Sequence, residues 1–317
     1  MVQKTVKKEF EIELIGEKTI KVEHGQTILD AALKAGIPLF HACGGNAECS
    51  TCRILVVDGM ECLSPINEKE AKLREMVPFP PRIRLACQTC VQNDPVRIQR
   101  IAFENTGVSG FIKDEIKDAH QKLGEKKQLV LFFLDIRNFT PFVEAFLPYD
   151  VIHVMRACYI IINEIVKINN GQIIDTSGDG FYAVFGLQSN LTEASDASIK
   201  AGRAILKELK KFNETYLEPY FGTRFEIGIG IHCGQVIVGE VLIGQKSHLS
   251  VMGRAVNIAA RIQASTRKLN NNFIASEDLM LNSTSKELGE KRLIKLRGIN
   301  GVFHVQLIGD PFTDVIN

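Results

Sequence analysis

The sequence predicts a chain of two domains, an α+β domain followed by a larger α/β domain. A chain of 317 residues is long enough for about two domains. The first hundred residues combine short alternating strand patterns with a group of cysteines, whereas strand and long helix patterns alternate from residue 129 onward. The second pattern is typical of a sheet covered by helices.

The composition excludes several classes of protein. Hydrophobic residues make up 45% of the chain, charged residues 24%, and the formal net charge is +1. A nearly neutral chain gives no electrostatic reason to expect nucleic acid or an anionic membrane as a partner. The longest apolar run, residues 129–134, is too short to span a bilayer, and the N-terminus lacks the apolar core of a signal peptide. We therefore expect a cytoplasmic protein whose cysteines stay reduced or bind metal.

The first domain begins with a predicted hairpin in which apolar and charged residues alternate. Thr27 is a typical N-cap for a short helix, and Gly36 a typical end. The predicted elements are, in order, strands at 10–14 and 19–22, a helix at 27–35, and a buried strand at 54–57.

Four cysteines of this domain have the spacing of a metal or iron–sulfur centre. Cys43, Cys49 and Cys52 form a tight C-x5-C-x2-C loop, and Cys87 returns later in the chain. Gly44 follows Cys43 directly, and glycine lets the backbone wrap closely enough to direct N–H groups at thiolates. A structural zinc site usually shows two short knuckles instead, and zinc remains the alternative.

Residues of about 5–103 resemble a [2Fe–2S] ferredoxin, and the loop spacing is nearer to the adrenodoxin branch than to the plant branch. The resemblance implies a β-grasp domain at 1–103 with a [2Fe–2S] cluster held by Cys43, Cys49, Cys52 and Cys87. Cys62 and Cys90 are interpreted as small apolar residues near the cluster, with a substitute ligand or a regulatory thiol as the alternative.

Residues 104–128 are predicted to link the domains. Turn-forming residues come first, and apolar residues then recur at helical spacing until Gly124. Such a stripe needs a partner surface, either a domain or a second subunit. The residues of the stripe are Phe111, Ile112, Ile116, Ala119 and Leu123.

The second domain, 129–317, is predicted to alternate strands and helices. Cys158 and Cys233 fall in apolar patterns and are interpreted as core residues. The predicted elements are strand 130–135, helix 149–168, hairpin 172–175 and 181–185, helix 191–217, strands 225–231 and 236–241, helix 254–266, and short strands toward 302–308.

Three short segments of this domain carry residues suited to phosphate chemistry. Asp135 ends a buried strand and precedes a tight loop into a helix, where Mg²⁺ and a triphosphate are commonly bound. Asp179 lies in a Gly-Asp-Gly hairpin tip, which alone would be ordinary turn chemistry. Asn257 and Arg261 are four residues apart and therefore project from one helix face.

Residues of about 127–310 resemble the class III nucleotidyl cyclase catalytic domain, which implies a ferredoxin-like βαββαβ fold. The resemblance implies that Asp135 and Asp179 bind two Mg²⁺ or Mn²⁺ ions with help from the Ile136 carbonyl. It also implies that Asn257 orients the ribose and that Arg261 stabilises charge on the phosphoryl group. The triphosphate would be bound by Phe139 and Thr140 in the loop and by Arg297, with Lys295 as the substitute.

In this family the aspartate pair and the Asn/Arg pair come from opposite subunits. A single cyclase domain per chain therefore implies a head-to-tail homodimer. The base-binding positions depart from the usual residues, because they hold Asp175 and Ser250. Both adenine and guanine can satisfy these two side chains. ATP is expected because adenylate cyclases prevail among soluble members of the family, and GTP is the alternative.

The combined expectation is a nucleotide cyclase that makes cyclic AMP under control of the cluster's redox state, with an electron-donor protein or an oxidant as a possible partner. Two alternatives stay open. The chain is an electron-transfer ferredoxin whose second domain only dimerises, or the cluster merely stabilises the first domain.

Overall fold

The computed structural model describes residues 8–77, 79–100, 124–243, 246–285 and 289–313. The chain divides into two compact units, Met1–Leu123 and Gly124–Asn317. The predicted stripe from Phe111 to Leu123 lies outside the described residues, as do residues 104–123 of the predicted linker at 104–128.

The described part of the first unit is a five-stranded mixed sheet in the order β2-β1-β5-β3-β4. Strand β1 pairs antiparallel with β2 and parallel with β5, which confirms the predicted hairpin and the β-grasp arrangement. The elements are β1 (Glu9–Leu14), β2 (Thr19–Glu23), α1 (Ile28–Lys34), β3 (Arg53–Asp58), a 3₁₀ turn (Met60–Cys62), α2 (Glu68–Met76), β4 (Ile83–Leu85) and β5 (Val96–Arg100).

Local sequence signals explain the ends of α1. The Thr27 hydroxyl accepts the Asp30 N–H at 3.1 Å, as an N-cap should. Gly36 follows the helix at φ +74°, a conformation that glycine adopts without strain. Alternate residues of β1, Phe10, Ile12 and Leu14, are buried in the core of this unit.

Helix α2 is fixed to the sheet by a buried ion pair. Glu70 is fully buried, and its carboxylate accepts from the Arg84 guanidinium at 3.1 Å and from the Leu85 N–H at 3.2 Å. Arg74, one turn further along α2, donates to the same carboxylate at 3.2 Å. A buried carboxylate with this many donors holds α2 at one place on β4, because moving it would leave charges unpaired.

The described part of the second unit contains an eight-stranded sheet whose path runs β12-β13-β11-β9-β6-β8-β7, with β10 paired to β9. The central strands β9-β6-β8-β7 are the fourth, first, third and second of a βαββαβ unit, which confirms the ferredoxin-like prediction. The elements are β6 (Glu125–Ile136), α3 (Phe139–Ala145), α4 (Pro148–Ile168), β7 (Gly171–Ser177), β8 (Gly180–Phe185), α5 (Leu191–Phe212), a π turn (Asn213–Leu217), α6 (Glu218–Phe221), β9 (Ile227–Ile243), β10 (Lys246–Met252), α7 (Arg254–Lys268), β11 (Phe273–Ser276), α8 (Glu277–Leu281), β12 (Glu290–Ile294) and β13 (Phe303–Leu307).

The two faces of this sheet have different coverings. Even-numbered residues of β6, such as Phe132 and Leu134, pack with α4 and α5 in the main core. Odd-numbered residues, such as Leu129 and Leu131, face the other side and pack with Ala255 and Ala259 of α7. Asp135 follows the odd series and therefore belongs to the α7 side of the sheet.

Two predicted element boundaries are wrong. Strands 225–231 and 236–241 are one continuous strand, β9, whose pairing with β6 runs through Gly234 without a turn. Gly234 is needed for close packing, because a Cβ there would lie 2.7 Å from Ala255 Cβ. The helix predicted to reach residue 217 ends at Phe212 and continues as a π turn.

The first strand of the second unit begins earlier than the predicted domain start at 129. Residues 125–128 already pair with β9, because Glu125 lies opposite Val238 and Gln128 opposite Gln235. Among the helices that the structure describes, none combines the length and the apolar character needed to cross a membrane.

Candidate functional site

The four predicted ligand cysteines are gathered in the first unit as two pairs. Cys43 and Cys49 lie in the loop between α1 and β3 and are partly exposed. Burial raises the pKa of the Cys43 thiol, but hydrogen bonds from Cys49 and from the backbone N–H groups of Glu48, Asn46 and Gly45 outweigh it, so the pKa lies below its usual value. Backbone donors directed at a sulfur stabilise its thiolate form, which is the form that binds metal.

The second pair is buried. Cys52 ends the loop and Cys87 follows β4, and their sulfurs lie 3.3 Å apart. The hydrogen bond from the Cys52 thiol lowers the pKa of Cys87 to about 6 and raises that of Cys52. In the first pair, the Thr51 hydroxyl lies within hydrogen-bonding distance of Cys49 Sγ, at 3.1 Å.

This arrangement fits a two-iron cluster. Each iron of a [2Fe–2S] centre takes two thiolates, and the chain presents one pair from Cys43 and Cys49 and one from Cys52 and Cys87. Gly45, at φ +88°, passes close to the second pair, since a Cβ there would lie 3.8 Å from Cys87 Cβ. That contact is an ordinary one, so the positive φ, which glycine adopts without strain, explains the glycine.

In the second unit, Asp135 and Asp179 are brought together. Asp135 lies on β6 between Gly180 of β8 and Gly228 of β9. Asp179 precedes β8, and its carbonyl accepts the Ile136 N–H at 3.3 Å. Burial and the nearby Asp179 carboxylate raise the pKa of Asp135 to about 6. Two carboxylates in a half-buried site repel one another, and a divalent cation between them would remove that repulsion.

Within the described ranges, no three or more His, Cys, Asp or Glu side chains are arranged to hold a single metal ion; this applies to the aspartates and also to the four cysteines, which form two pairs. The divalent cations of the second unit therefore stay a prediction. Asp135 and Asp179 provide two carboxylates there, so further ligands would have to be backbone carbonyls, water or substrate oxygens.

Two residues beside the aspartates were missed by the sequence reasoning. The Arg137 guanidinium donates to the Thr266 hydroxyl of α7 and lies 5.1 Å from the Phe312 ring centroid. Tyr159, on α4, donates its hydroxyl to the Gly178 carbonyl in the loop that carries Asp179. Arg137 lies two residues after Asp135, in the loop singled out from the sequence, but no local pattern distinguishes Tyr159 from an ordinary core tyrosine.

The two residues of the loop after β6 that are predicted to bind the triphosphate differ in exposure. Thr140 is exposed at the start of α3, where a phosphate could approach. The Phe139 ring instead packs on the rings of Phe142 and Phe225, at 6.3 and 6.5 Å between centroids. Phe139 could therefore contact a substrate through its backbone, because its side chain contributes to the core.

Asn257 and Arg261 share one face of α7, as predicted, but the face is turned outward. Both side chains are exposed, whereas Ala255, Ala259 and Ile262 are buried against the sheet. Asp135 is on the sheet side of this helix, so the chain does not direct its own Asn/Arg pair at its own aspartates.

The remaining predicted substrate residues lie at the surface. Asp175 of β7 is exposed and accepts the Thr176 N–H at 2.8 Å. Ser250 of β10 is half-buried, and β10 contacts β7. Lys295 and Arg297 follow β12 and are exposed, next to Gly298 at φ +76°.

Family models match both units. Residues 122–309 match the adenylate and guanylate cyclase catalytic domain, and residues 12–92 match the 2Fe-2S iron-sulfur cluster binding domain. The first match spans more than half of the chain, and the order of the two agrees with the site geometry. The chain belongs to the class III adenylate and guanylate cyclase family and carries an N-terminal 2Fe-2S domain.

Individual relatives agree with this assignment over part of their length. The chain is 27% identical over 154 residues to "Adenylate cyclase 1" of Rhizobium meliloti and 26% identical over 193 residues to "Adenylate cyclase" of Anabaena cylindrica. The matches cover 48% and 60% of this chain but 23% and 38% of those relatives.

Solved structures show the same fold for the second unit. The guanylyl cyclase Cya2 is 19% identical with a TM-score of 0.54, covering 61% of this chain and 96% of its own. The adenylyl cyclase CyaB from P. aeruginosa is 22% identical with a TM-score of 0.53, covering 60% of this chain and 98% of its own.

Proposed function

We propose that the protein converts ATP into 3′,5′-cyclic AMP and pyrophosphate by two-metal catalysis at sites shared between two copies of the chain, under control of the [2Fe–2S] cluster. The orientation of α7 is the observation that carries the shared site. One chain presents Asp135 and Asp179 beside the sheet and presents Asn257 and Arg261 outward. The aspartates of one copy therefore need the Asn/Arg pair of another copy to complete a site.

The aspartates provide the cation-binding half. Asp135 and Asp179, with the Ile136 carbonyl, would hold two Mg²⁺ or Mn²⁺ ions. Bound there, the cations would lower the pKa of the ribose 3′-hydroxyl and neutralise charge on the departing pyrophosphate. Tyr159 keeps the Asp179 loop in place through Gly178, and Arg137 compensates part of the negative charge at Asp135.

The partner's half of the site would orient the ribose and stabilise the charge that develops on the phosphoryl oxygens. Asn257 can hydrogen-bond the ribose, which aligns the 3′-oxygen with the α-phosphorus. Arg261 offers a planar fork of N–H donors to the phosphoryl oxygens, where negative charge develops. Arg297, or Lys295 in its place, would bind the remaining phosphates.

A partly covered apolar surface supports the dimer. On the α7 side of the sheet, the rings of Phe133 and Tyr182 stack at 4.5 Å between centroids and remain partly exposed, together with Ile174. The Tyr182 hydroxyl is buried without a hydrogen-bond partner among the described residues. A second copy of the chain over this surface would remove the exposed parts of the rings from water.

Mixing two inactive variants tests the shared site. Asp135→Ala removes the cation half, Arg261→Ala removes the stabilising half, and each variant alone is expected to lose about 10²-fold or more in rate. Coexpressed, they form mixed dimers with one intact site, so part of the cyclase activity should return. Failure of any restoration, with mixed dimers present by mass spectrometry, would contradict sites shared between subunits.

A separate experiment tests which nucleobase the substrate carries. Asp175 can accept from the adenine amino group while Ser250 donates to a ring nitrogen, and the adenylate cyclase relatives favour ATP. Guanine can use the same two side chains, so GTP is the competing substrate. Initial rates with ATP, GTP, CTP and UTP should be highest with ATP, and the Asp175→Ala variant should lose that preference.

A further inference from the structure

The side chain of Gln88 contacts one of the four predicted cluster ligands, Cys87, and has no role in the site described so far. Its amide nitrogen lies 3.3 Å from Cys87 Sγ and donates to the Gly45 carbonyl at 2.9 Å. Its amide oxygen accepts from the Asn67 side chain at 3.0 Å. Both the nitrogen and the oxygen of the Gln88 amide are thus hydrogen-bonded, and the side chain lies between a cluster ligand and the N-terminus of α2.

The orientation of this amide follows from backbone groups whose roles are fixed. Asn67 caps α2, so its oxygen must accept the Glu70 N–H, at 2.9 Å. The Asn67 nitrogen is then left to meet Gln88, which must present its oxygen. The Gln88 nitrogen consequently faces the Gly45 carbonyl and the sulfur. The two side chains form a chain of aligned hydrogen bonds ending on Cys87.

We propose that Gln88 is a positioning residue for the [2Fe–2S] cluster, whose N–H···S hydrogen bond raises the cluster's reduction potential and whose orientation is set by Asn67. When the cluster accepts one electron from an external one-electron donor, negative charge increases on its sulfurs. A donor already aimed at Cys87 stabilises the reduced state more than the oxidised state, with no proton transferred. The inference rests on the 2Fe-2S domain and is independent of the cyclase proposal.

The same chain of bonds gives the cluster a mechanical connection to α2. Hydrogen bonds run from Cys87 through Gln88 to Asn67, the residue that caps the helix. At its other end α2 is tied to the cluster loop as well, because Arg74 and Arg53 lie 5.1 and 5.3 Å from the Phe79 ring centroid and Arg53 donates to the Ser50 hydroxyl at 2.7 Å.

The test is a redox titration of the full-length, cluster-loaded protein, with dithionite as reductant and visible absorbance as readout. Gln88→Met keeps the length of the side chain and removes the donor, so the midpoint potential should become more negative. Gln92→Met, at an exposed position nearby, should leave it unchanged. A wild-type potential in Gln88→Met with an intact cluster spectrum would overturn the proposal.

A second variant tests the orientation without altering Gln88. Asn67→Ser still caps α2 and adds no charge, but it removes the nitrogen that fixes the Gln88 oxygen. The potential should shift in the same direction by a smaller amount, and an unchanged potential would show that Asn67 does not orient the amide. If Gln88→Met fails to retain its cluster, this variant carries the potential measurement.

A spectroscopic measurement detects the bond directly. In wild-type protein labelled with ¹⁵N at the glutamine side-chain amides, the reduced, paramagnetic cluster should show a ¹⁵N coupling by electron–nuclear double resonance. The coupling should vanish in Gln88→Met and persist in Gln92→Met. Its absence from the wild type would overturn the proposal, whatever the cyclase activity.

Discussion

At the scale of single residues, His232 shows how burial changes chemistry that composition alone would not reveal. It lies on β9, is only 5% exposed, and its Nδ1 is 2.9 Å from the Ser276 hydroxyl. Burial lowers the pKa of His232 from 6.5 to about 4, despite the opposing charge of Asp278. The imidazole therefore stays neutral in the folded protein at neutral pH.

This burial predicts a pH dependence of stability. The unfolded chain binds a proton on His232 near pH 6.5, whereas the folded chain does so only near pH 4, so stability is lost as the pH falls through that window. A difference of about 2.5 pKa units corresponds to about 3 kcal/mol. His232→Gln should lose that much less stability between pH 7 and pH 4 than the wild type.

Urea unfolding followed by tyrosine fluorescence measures this change, because all five tyrosines lie in the second unit. His248→Gln is the matched control, since it removes an exposed imidazole from β10. Equal pH dependences in the His232→Gln variant and the wild type would contradict the burial argument.

At the scale of elements, α7 lies directly on three glycines of β9. A Cβ at Gly228, Gly230 or Gly234 would come within 2.7 Å of an atom of α7. Glycine in a strand often marks an interruption, and only Gly234 lies in the gap between the two predicted strands, 225–231 and 236–241. In the folded sheet the three glycines form a flat strip on which a helix backbone can rest.

Replacing Gly230 by alanine should displace α7. The added Cβ would lie 2.2 Å from the Gln263 backbone nitrogen, which has no flexible side chain to yield. We expect a loss of about 1–3 kcal/mol in the free energy of unfolding. A drop in cyclase rate should accompany it, because α7 carries Asn257 and Arg261.

The control for this variant is Gln235→Ala, at an exposed position of the same strand. Urea unfolding and initial cyclase rates, measured on both variants, test whether only Gly230→Ala loses stability and activity. Wild-type stability in Gly230→Ala would mean that α7 can move away from β9 without cost.

At the scale of the whole molecule, the cluster and the cyclase site belong to separate units of one chain. Control of one by the other requires the cluster's two charge states to favour different states of the cyclase dimer. Coupling energies between sites are commonly about 1–3 kcal/mol, so oxidised and reduced protein should differ in cyclase rate by about 5–150-fold.

Rates measured at poised potentials check this prediction. Cys43→Ser, which removes a cluster ligand, should abolish the response to potential without touching the cyclase residues. Identical rates in oxidised, reduced and cluster-free protein would leave the cluster with only a structural role in the first unit.

The sequence by itself determined both families and their order, because the decisive residues are close together along the chain. Each decisive group spans a short stretch of sequence: the Cys43–Cys52 loop, the Asp135 segment and the Asn257–Arg261 pair. Their spacing reflects ligand geometry or helix period, which are local properties. The hairpin of β1 and β2 and the cap of α1 could be predicted for the same reason.

Only the tertiary structure decided what depends on contacts between distant segments. It turned Asn257 and Arg261 outward, joined β9 through Gly234, and placed Gln88 between Cys87 and Asn67. A hydrogen bond across twenty residues, or the side of a helix that packs on a sheet, is set by the folded core. The hydrogen bond leaves no signal in the residues nearby, whereas the apolar spacing of Ala255, Ala259 and Ile262 marks the buried face of α7 but not the surface that covers it.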